Sequence, residues 1–120
     1  MFGLTVRWSL AEAPKGTLKA LRTYVEDESF QKFAGLDGLR FKTWRAVKHH
    51  WFEGTYVFVS DEARRAFQDD FEQKAATSAG SKIIGSAPMT IEACEIIGVV
   101  RGPAGFRSAA NFERARPDDD

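Results

Sequence analysis

Cysteine and histidine are scarce in this 120-residue chain: one Cys, at 94, and two His, at 49 and 50. A single thiol excludes an internal disulfide and suits a reducing compartment. Charge of either sign is not in excess, since 17 Lys+Arg meet 17 Asp+Glu. Nucleic-acid binders and membrane-surface proteins usually show a basic surplus, so neither nucleic acid nor membrane is expected as a partner. No apolar run reaches the ~18 residues of a membrane span. The segment from Met1 to Trp8 lacks the basic head and long apolar centre of a secretion signal, and the expected location is cytoplasmic. Phosphate loops, dinucleotide fingerprints, zinc-ligand spacings and G-x-S-x-G elbows are all missing. No cofactor and no metal are therefore expected. An enzyme built this way is restricted to proton transfer, isomerisation, or oxygenation of an electron-rich substrate that activates oxygen itself. What is plentiful is aromatic: ten Phe, three Trp and two Tyr.

Hydropathy period divides the chain. Phe2, Leu4, Val6, Trp8 and Leu10 alternate with polar or small residues, the pattern of a half-buried strand. From Pro14 to Phe33 the period lengthens, with Leu18, Leu21, Val25 and then Ser29 or Phe33 on one side, which predicts an amphipathic helix stopped by Gly35. Leu39 to Lys48 alternates again, placing Leu39, Phe41, Thr43 and Val47 opposite Arg40, Lys42, Trp44 and Ala46. A third strand spans Trp51 to Val59. Ser60 then caps a second helix carrying an Ala63, Phe67, Phe71, Ala75 stripe and closed by Gly80. Ser81 to Pro88 reads as a loop and Thr90 to Val100 as a fourth strand, with Cys94 a small core residue. Residues 1–101 thus make one domain. Residues 102–120 make a C-terminal arm with a short helix near Ala109 to Arg114 and a frayed, partly disordered end.

The order β-α-β-β-α-β, with right-handed crossovers, places both helices on one face of a four-stranded antiparallel sheet. The fold class is α+β, ferredoxin-like. The other face would be bare over roughly 380 Å² in plan, near the ceiling for apolar patches on soluble monomers. A homodimer with two such sheets face to face would bury about 800 Å² per partner. Arg40 or Lys42 on that face would need carboxylates, for which Glu92 and Glu95 are available.

The strings Gly38-Leu39-Arg40-Phe41-Lys42-Thr43-Trp44 and Gly54-Thr55-Tyr56-Val57-Phe58, followed by an Ala-rich helix with spaced aromatics, carry a resemblance over about residues 1–101. The sequence resembles the YdhR-like monooxygenases of the dimeric α+β barrel superfamily, which also holds the antibiotic-biosynthesis monooxygenases. The resemblance implies a homodimer whose sheets form a shared barrel, with a small-molecule pocket in each subunit between sheet and helices. The superfamily includes cofactor-independent oxygenases, haem-degrading enzymes, isomerases and members without known activity. Glu53 stands where such sequences often have a second glycine, and the tail beyond Arg101 has no counterpart.

Each candidate site residue has two readings. Lys42 and Trp44 would give a pocket wall, a cation for a developing enolate or phenolate beside an indole platform, or an interface ion pair beside a packed ring. Tyr56 would orient a substrate oxygen or sit in the core with its hydroxyl on one partner. His50, nearer the strand than His49, would be a general base, or both would lie in a solvated turn. Trp8 and Arg7 point to opposite faces, and either lines a pocket or is structural. The first functional reading is a cofactor-independent monooxygenase in which His50 deprotonates a small aromatic or enolic substrate held by Trp44, Tyr56, Lys42 and Trp8, with a haem-degrading enzyme as a variant. The second is a non-catalytic dimeric module for a small ligand or a partner protein. An RNA-recognition domain has the same element order, but Glu53 and Thr55 occupy places where that fold needs a basic and an aromatic residue.

Overall fold

The computed structural model describes residues 1–106. Strand β1, Phe2–Ser9, is followed by α1, Thr17–Tyr24, a π-turn over Val25–Ser29, and α2, Phe30–Ala34. Then come β2, Leu39–Val47, and β3, Trp51–Phe58, as a hairpin. Helix α3, Asp61–Lys74, a 3₁₀ turn over Ala75–Thr77, and α4, Ala79–Ile84, lead to β4, Thr90–Glu95. The strands pair antiparallel in the order β2-β3-β1-β4. This is the ferredoxin-like α+β arrangement.

The period-two pattern of β1 becomes its packing. Leu4, Val6 and Trp8 are buried and join Phe52, Tyr56 and Phe58 of β3 in one core with Leu21, Val25, Phe33 and Ile84 from the helices. Each such side chain, fully buried, contributes about 1.5–3 kcal/mol. Phe67 and Phe71 pack on this core from α3, with Phe71 edge-on to Trp8 at 6.4 Å.

The first helical segment is not one continuous α-helix from Pro14. It starts at Thr17 after Gly16 in the left-handed region (φ +84°) and changes winding at Val25. Leu21, Val25, Ser29 and Phe33 are all buried and stand four residues apart. An α-helix would rotate such a row by about 40° per step. The π-turn, in which Phe30 N–H donates to the Val25 carbonyl, takes up that drift and keeps the row facing the sheet.

Three further expectations are corrected. The second helix does not run to Gly80. It ends at Lys74, and Ser78 caps a new helix by accepting from Ser81 N–H, with Gly85 (φ +91°) as its terminator. The stretch read as a loop from Ser81 is therefore partly helical, and Gly80 lies inside α4, where a Cβ would meet the Trp8 ring at 3.4 Å. The fourth strand ends at Glu95 rather than Val100, because β4 runs out of partner where β1 begins. Ile96 N–H donates to the Met1 carbonyl at 2.9 Å, and Ile97 and Val100 beyond it are exposed. The expected helix near Ala109 to Arg114 lies outside the described residues.

The faces of β2 also differ from simple alternation. An irregularity between Leu39 and Phe41 leaves Arg40 as an extra residue, so Leu39 turns to the core with Lys42, Trp44 and Ala46. Lys42 is consequently on the helix side, not on the open face, and needs no carboxylate from β4. The strand cations that do occupy the open face are Arg7 and Arg45. Their carboxylate is Glu53, 2% exposed, which accepts from Arg7 Nε at 2.8 Å and from Arg45 Nε at 2.6 Å. Both guanidiniums lie over the Trp51 ring, at 4.0 and 5.3 Å. Burial alone would raise the Glu53 pKa, but the two guanidiniums hold it below the usual carboxylate range. Cys94, across from Gly3 on the same face, is exposed rather than in the core.

Candidate functional site

Between the helix-side face of the sheet and the helices lies a cavity of about 360 Å³. Register explains why it exists. Lys42 pairs with Tyr56, and Trp44 pairs with Gly54, which in turn pairs with Val6 of β1. A glycine at the centre of a strand row leaves a gap. At Gly54 a Cβ would stand 3.2 Å from Lys42 Cε and 3.5 Å from Tyr56 Oη, so those two side chains occupy the space above it. The helices complete the wall with Phe33, Phe67 and Ser29.

Lys42 is the centre of the site. Its Nζ donates to Tyr56 Oη at 2.9 Å and lies over three rings: Phe33 at 3.6 Å, Tyr56 at 4.3 Å and Trp44 at 4.6 Å. It has no carboxylate partner among the described residues. Burial, and to a lesser extent the charge of Lys32, hold its pKa well below the ordinary lysine value. Burial likewise pushes the Tyr56 phenol up, so it keeps its proton at neutral pH. Because Tyr56 accepts from Lys42, its own O–H is left to donate to a ligand oxygen. At the cavity edge Asp70 and Lys74 neutralise each other at 3.0 Å. The arrangement can accept a proton on an amine, donate a hydrogen bond from a phenol, and stack a flat ring.

Trp8, Lys42, Trp44 and Tyr56, the candidate binding residues read from sequence, all line this one cavity. Trp8 is fixed by donating from Nε1 to Ser81 Oγ at 2.9 Å, and Ser81 in turn donates to the Ala75 carbonyl. His50, the candidate base, is not among the lining residues. It sits exposed in the β2–β3 turn, with its N–H on the Val47 carbonyl and its carbonyl accepting from Leu10 N–H. His49, at φ +69° in the same turn, is exposed as well. Sequence reading gave no site role to Phe33, Gly54 or Ser29, although Gly54 heads one of the strings that carry the resemblance. A glycine between Trp44-facing and Tyr56-facing rows carried a usable signal. Ser29 did not, because nothing in the string Val-Glu-Asp-Glu-Ser announces a π-turn. A broader open trough of about 1550 Å³ flanks β2 and shares Lys42, Trp44 and Phe33 with the cavity. Val99, Arg101 and Phe106 line it from the C-terminal side.

No group of three or more His, Cys, Asp or Glu able to hold a metal ion occurs among the described residues. No helix among them is long and apolar enough to cross a membrane.

The sequence matches no protein-family model and no curated protein. Solved structures do share the fold. A protein of unknown function from Nitrosomonas europaea, NE2512, is 19% identical with a TM-score of 0.60, over 84% of this chain and 93% of that one. A monooxygenase from the gene ActVA-Orf6 of Streptomyces coelicolor, in complex with the ligand Nanaomycin D, is 16% identical with a TM-score of 0.61, over 84% and 91%. A dimeric ferredoxin-like protein from an uncultured marine organism is 12% identical with a TM-score of 0.52, over 84% and 92%.

Proposed function

We propose that the protein is a cofactor-independent monooxygenase acting on a small aromatic or enolic substrate in the cavity above Gly54. The observation that carries this reading is Lys42: a buried amine, bonded to a phenol, ringed by aromatics and without a carboxylate partner among the described residues. An amine so placed gives up its own proton more readily than an ordinary lysine and, once neutral, takes the acidic proton of a bound phenol or enol. The resulting anion is then paired with the new ammonium and with the Tyr56 O–H, which localises charge in a water-poor site. The electron-rich carbon conjugated to that oxygen, which carries one hydrogen, can then be oxidised by O₂ to a carbonyl. One oxygen atom stays on carbon, and the other leaves as water with that hydrogen and the proton taken up by Lys42, giving a quinone or dicarbonyl, so no external reductant is required. Trp44 and Phe33 hold the ring in place. His50 takes no part in this scheme, since proton transfer falls to Lys42. The fold shared with a monooxygenase that binds Nanaomycin D supports the reaction class without fixing it.

A homodimer belongs to the same proposal. The open sheet face carries Trp51, Phe41 and Val57 around the Arg7–Glu53–Arg45 group, and a protein of the same fold is described as dimeric. Sedimentation should give a particle of about twice 13.4 kDa.

Oxygen consumption is the test. Purified protein, with no added cofactor, should take up O₂ with at least one member of a panel of polycyclic phenols and enols. Uptake should collapse in Lys42→Met, with the fold intact by circular dichroism. Tight binding of the panel without turnover would instead support a non-catalytic ligand carrier, and neither binding nor uptake would refute both.

A further inference from the structure

Besides Lys42 and Tyr56 of the site, four polar or charged residues are buried among the described residues: Thr17, Ser29, Glu53 and Ser81. Three have evident partners. Thr17 Oγ1 donates to the Pro14 carbonyl, Ser81 Oγ to the Ala75 carbonyl, and Glu53 accepts from two arginines. Ser29 is 2% exposed, yet its hydroxyl makes no hydrogen bond among the described residues. Buried hydroxyls without partners are rare and call for a reason. In an ordinary helix a serine hydroxyl can bond the carbonyl four residues back. Here that carbonyl belongs to Val25, which accepts from the Phe30 N–H in the π-turn, and the Ser29 hydroxyl makes no bond to it. No buried side-chain oxygen among the described residues is wholly sealed without a partner. The sliver of surface Ser29 retains therefore belongs to its hydroxyl, and Ser29 is a wall of the cavity.

We propose that Ser29 is a specificity-determining residue: its hydroxyl binds a second oxygen of the ligand from the helical wall, while Lys42 and Tyr56 hold the first from the sheet wall. The ligand class is then a fused-ring aromatic with two separated oxygen substituents, one of them an ionisable hydroxyl. Size agrees. An apolar cavity of about 150 Å³ accepts benzene, so about 360 Å³ takes a two- or three-ring system. This inference rests on the reading of the cavity as a binding site but not on any oxygen chemistry.

The test uses the full chain under nitrogen, with tryptophan fluorescence as the readout. The probes are 1-naphthol, 2-naphthol and the series of dihydroxynaphthalene isomers. At least one dihydroxy isomer should bind about 3- to 10-fold tighter than both naphthols, the worth of one added hydrogen bond. Ser29→Ala and the near-isosteric Ser29→Cys should both erase that gain and leave naphthol affinity within about twofold. The melting temperature of ligand-free Ser29→Ala should be unchanged or higher, since no protein hydrogen bond is lost. Naphthol binding with no isomer gain, or a gain that survives in both variants, would overturn the Ser29 inference alone. So would a lower melting temperature, which would mark the hydroxyl as structural. Failure of every probe to bind would overturn the cavity reading with it.

Discussion

Replacing Lys42 by methionine separates the chemistry of the amine from the space it fills. Methionine keeps most of the stem, so the cavity wall stays in place, while the proton acceptor and the bond to Tyr56 Oη are removed. A well-placed general base contributes about 10²- to 10⁴-fold. That is about 3–5 kcal/mol of barrier, and oxygen uptake should fall accordingly. Stability should move the other way at neutral pH. The folded-state pKa of Lys42 is depressed, so between that value and the unfolded ~10.4 the unfolded chain holds a proton that the folded chain does not. Wild-type stability therefore declines as pH falls through that window and levels off below the folded value. Lys42→Met removes this penalty and should be more stable than wild type at pH 7. Above pH ~10.5 both states of wild type are neutral. There the variant should be less stable by about 0.5–1.5 kcal/mol, the worth of the lost hydrogen bond. Urea titrations at pH 7 and pH 11, alongside an oxygen electrode at pH 7, read all three quantities. Undiminished uptake, or a variant less stable than wild type at pH 7, would refute the assignment of Lys42 as a desolvated base.

Glu53→Ala leaves the Arg7 and Arg45 guanidiniums, 28% and 59% exposed, without their carboxylate. Discounted for that exposure, the loss should be about 2–3 kcal/mol by urea at pH 7, and a change under 0.5 kcal/mol would count against the bridge. Since the Glu53 pKa is lowered, wild type should lose this contribution as pH falls below ~4.3, and the variant should lack that part of the acid transition. Gly38→Ala forces an L side chain to φ +83° and brings a Cβ within 2.7 Å of Ala63 Cβ, which should cost about 2–4 kcal/mol by thermal melting. Trp8→Phe loses the bond to Ser81 and part of a buried ring, so about 2–3 kcal/mol should disappear in chemical denaturation, with ligand affinity falling as the cavity widens.

Legibility in the sequence followed the strength of local pattern. Phe2 to Leu10 alternates cleanly, and β1 follows it. Ser60 with Asp61 and Glu62 marks a helix start, and its Oγ accepts from Ala63 N–H at 3.1 Å. The pairing of Lys42 with Trp44 on one strand face was equally readable, because residues two apart must share a face. Features set by tertiary contact were not. The bulge at Arg40 reverses Leu39 with no local marker. The end of β4 depends on where its partner strand begins, although Ile97, Val99 and Val100 have strand-like composition. Gly80 looked like a helix terminator, but it lies in the first turn of α4 against the Trp8 ring. His50 attracted attention by residue type alone, since imidazole titrates near neutrality. Lysine does so only when buried, and burial is a property of the fold.

The most direct measurement is a crystal structure of the protein grown under nitrogen with 1-naphthol. Density for a flat bicyclic ring against Trp44 and Phe33 is expected, with its oxygen within about 3.2 Å of Lys42 Nζ and Tyr56 Oη. A ring bound on the open face beside Trp51, or a cavity still empty at saturating naphthol, would contradict the placement of the site.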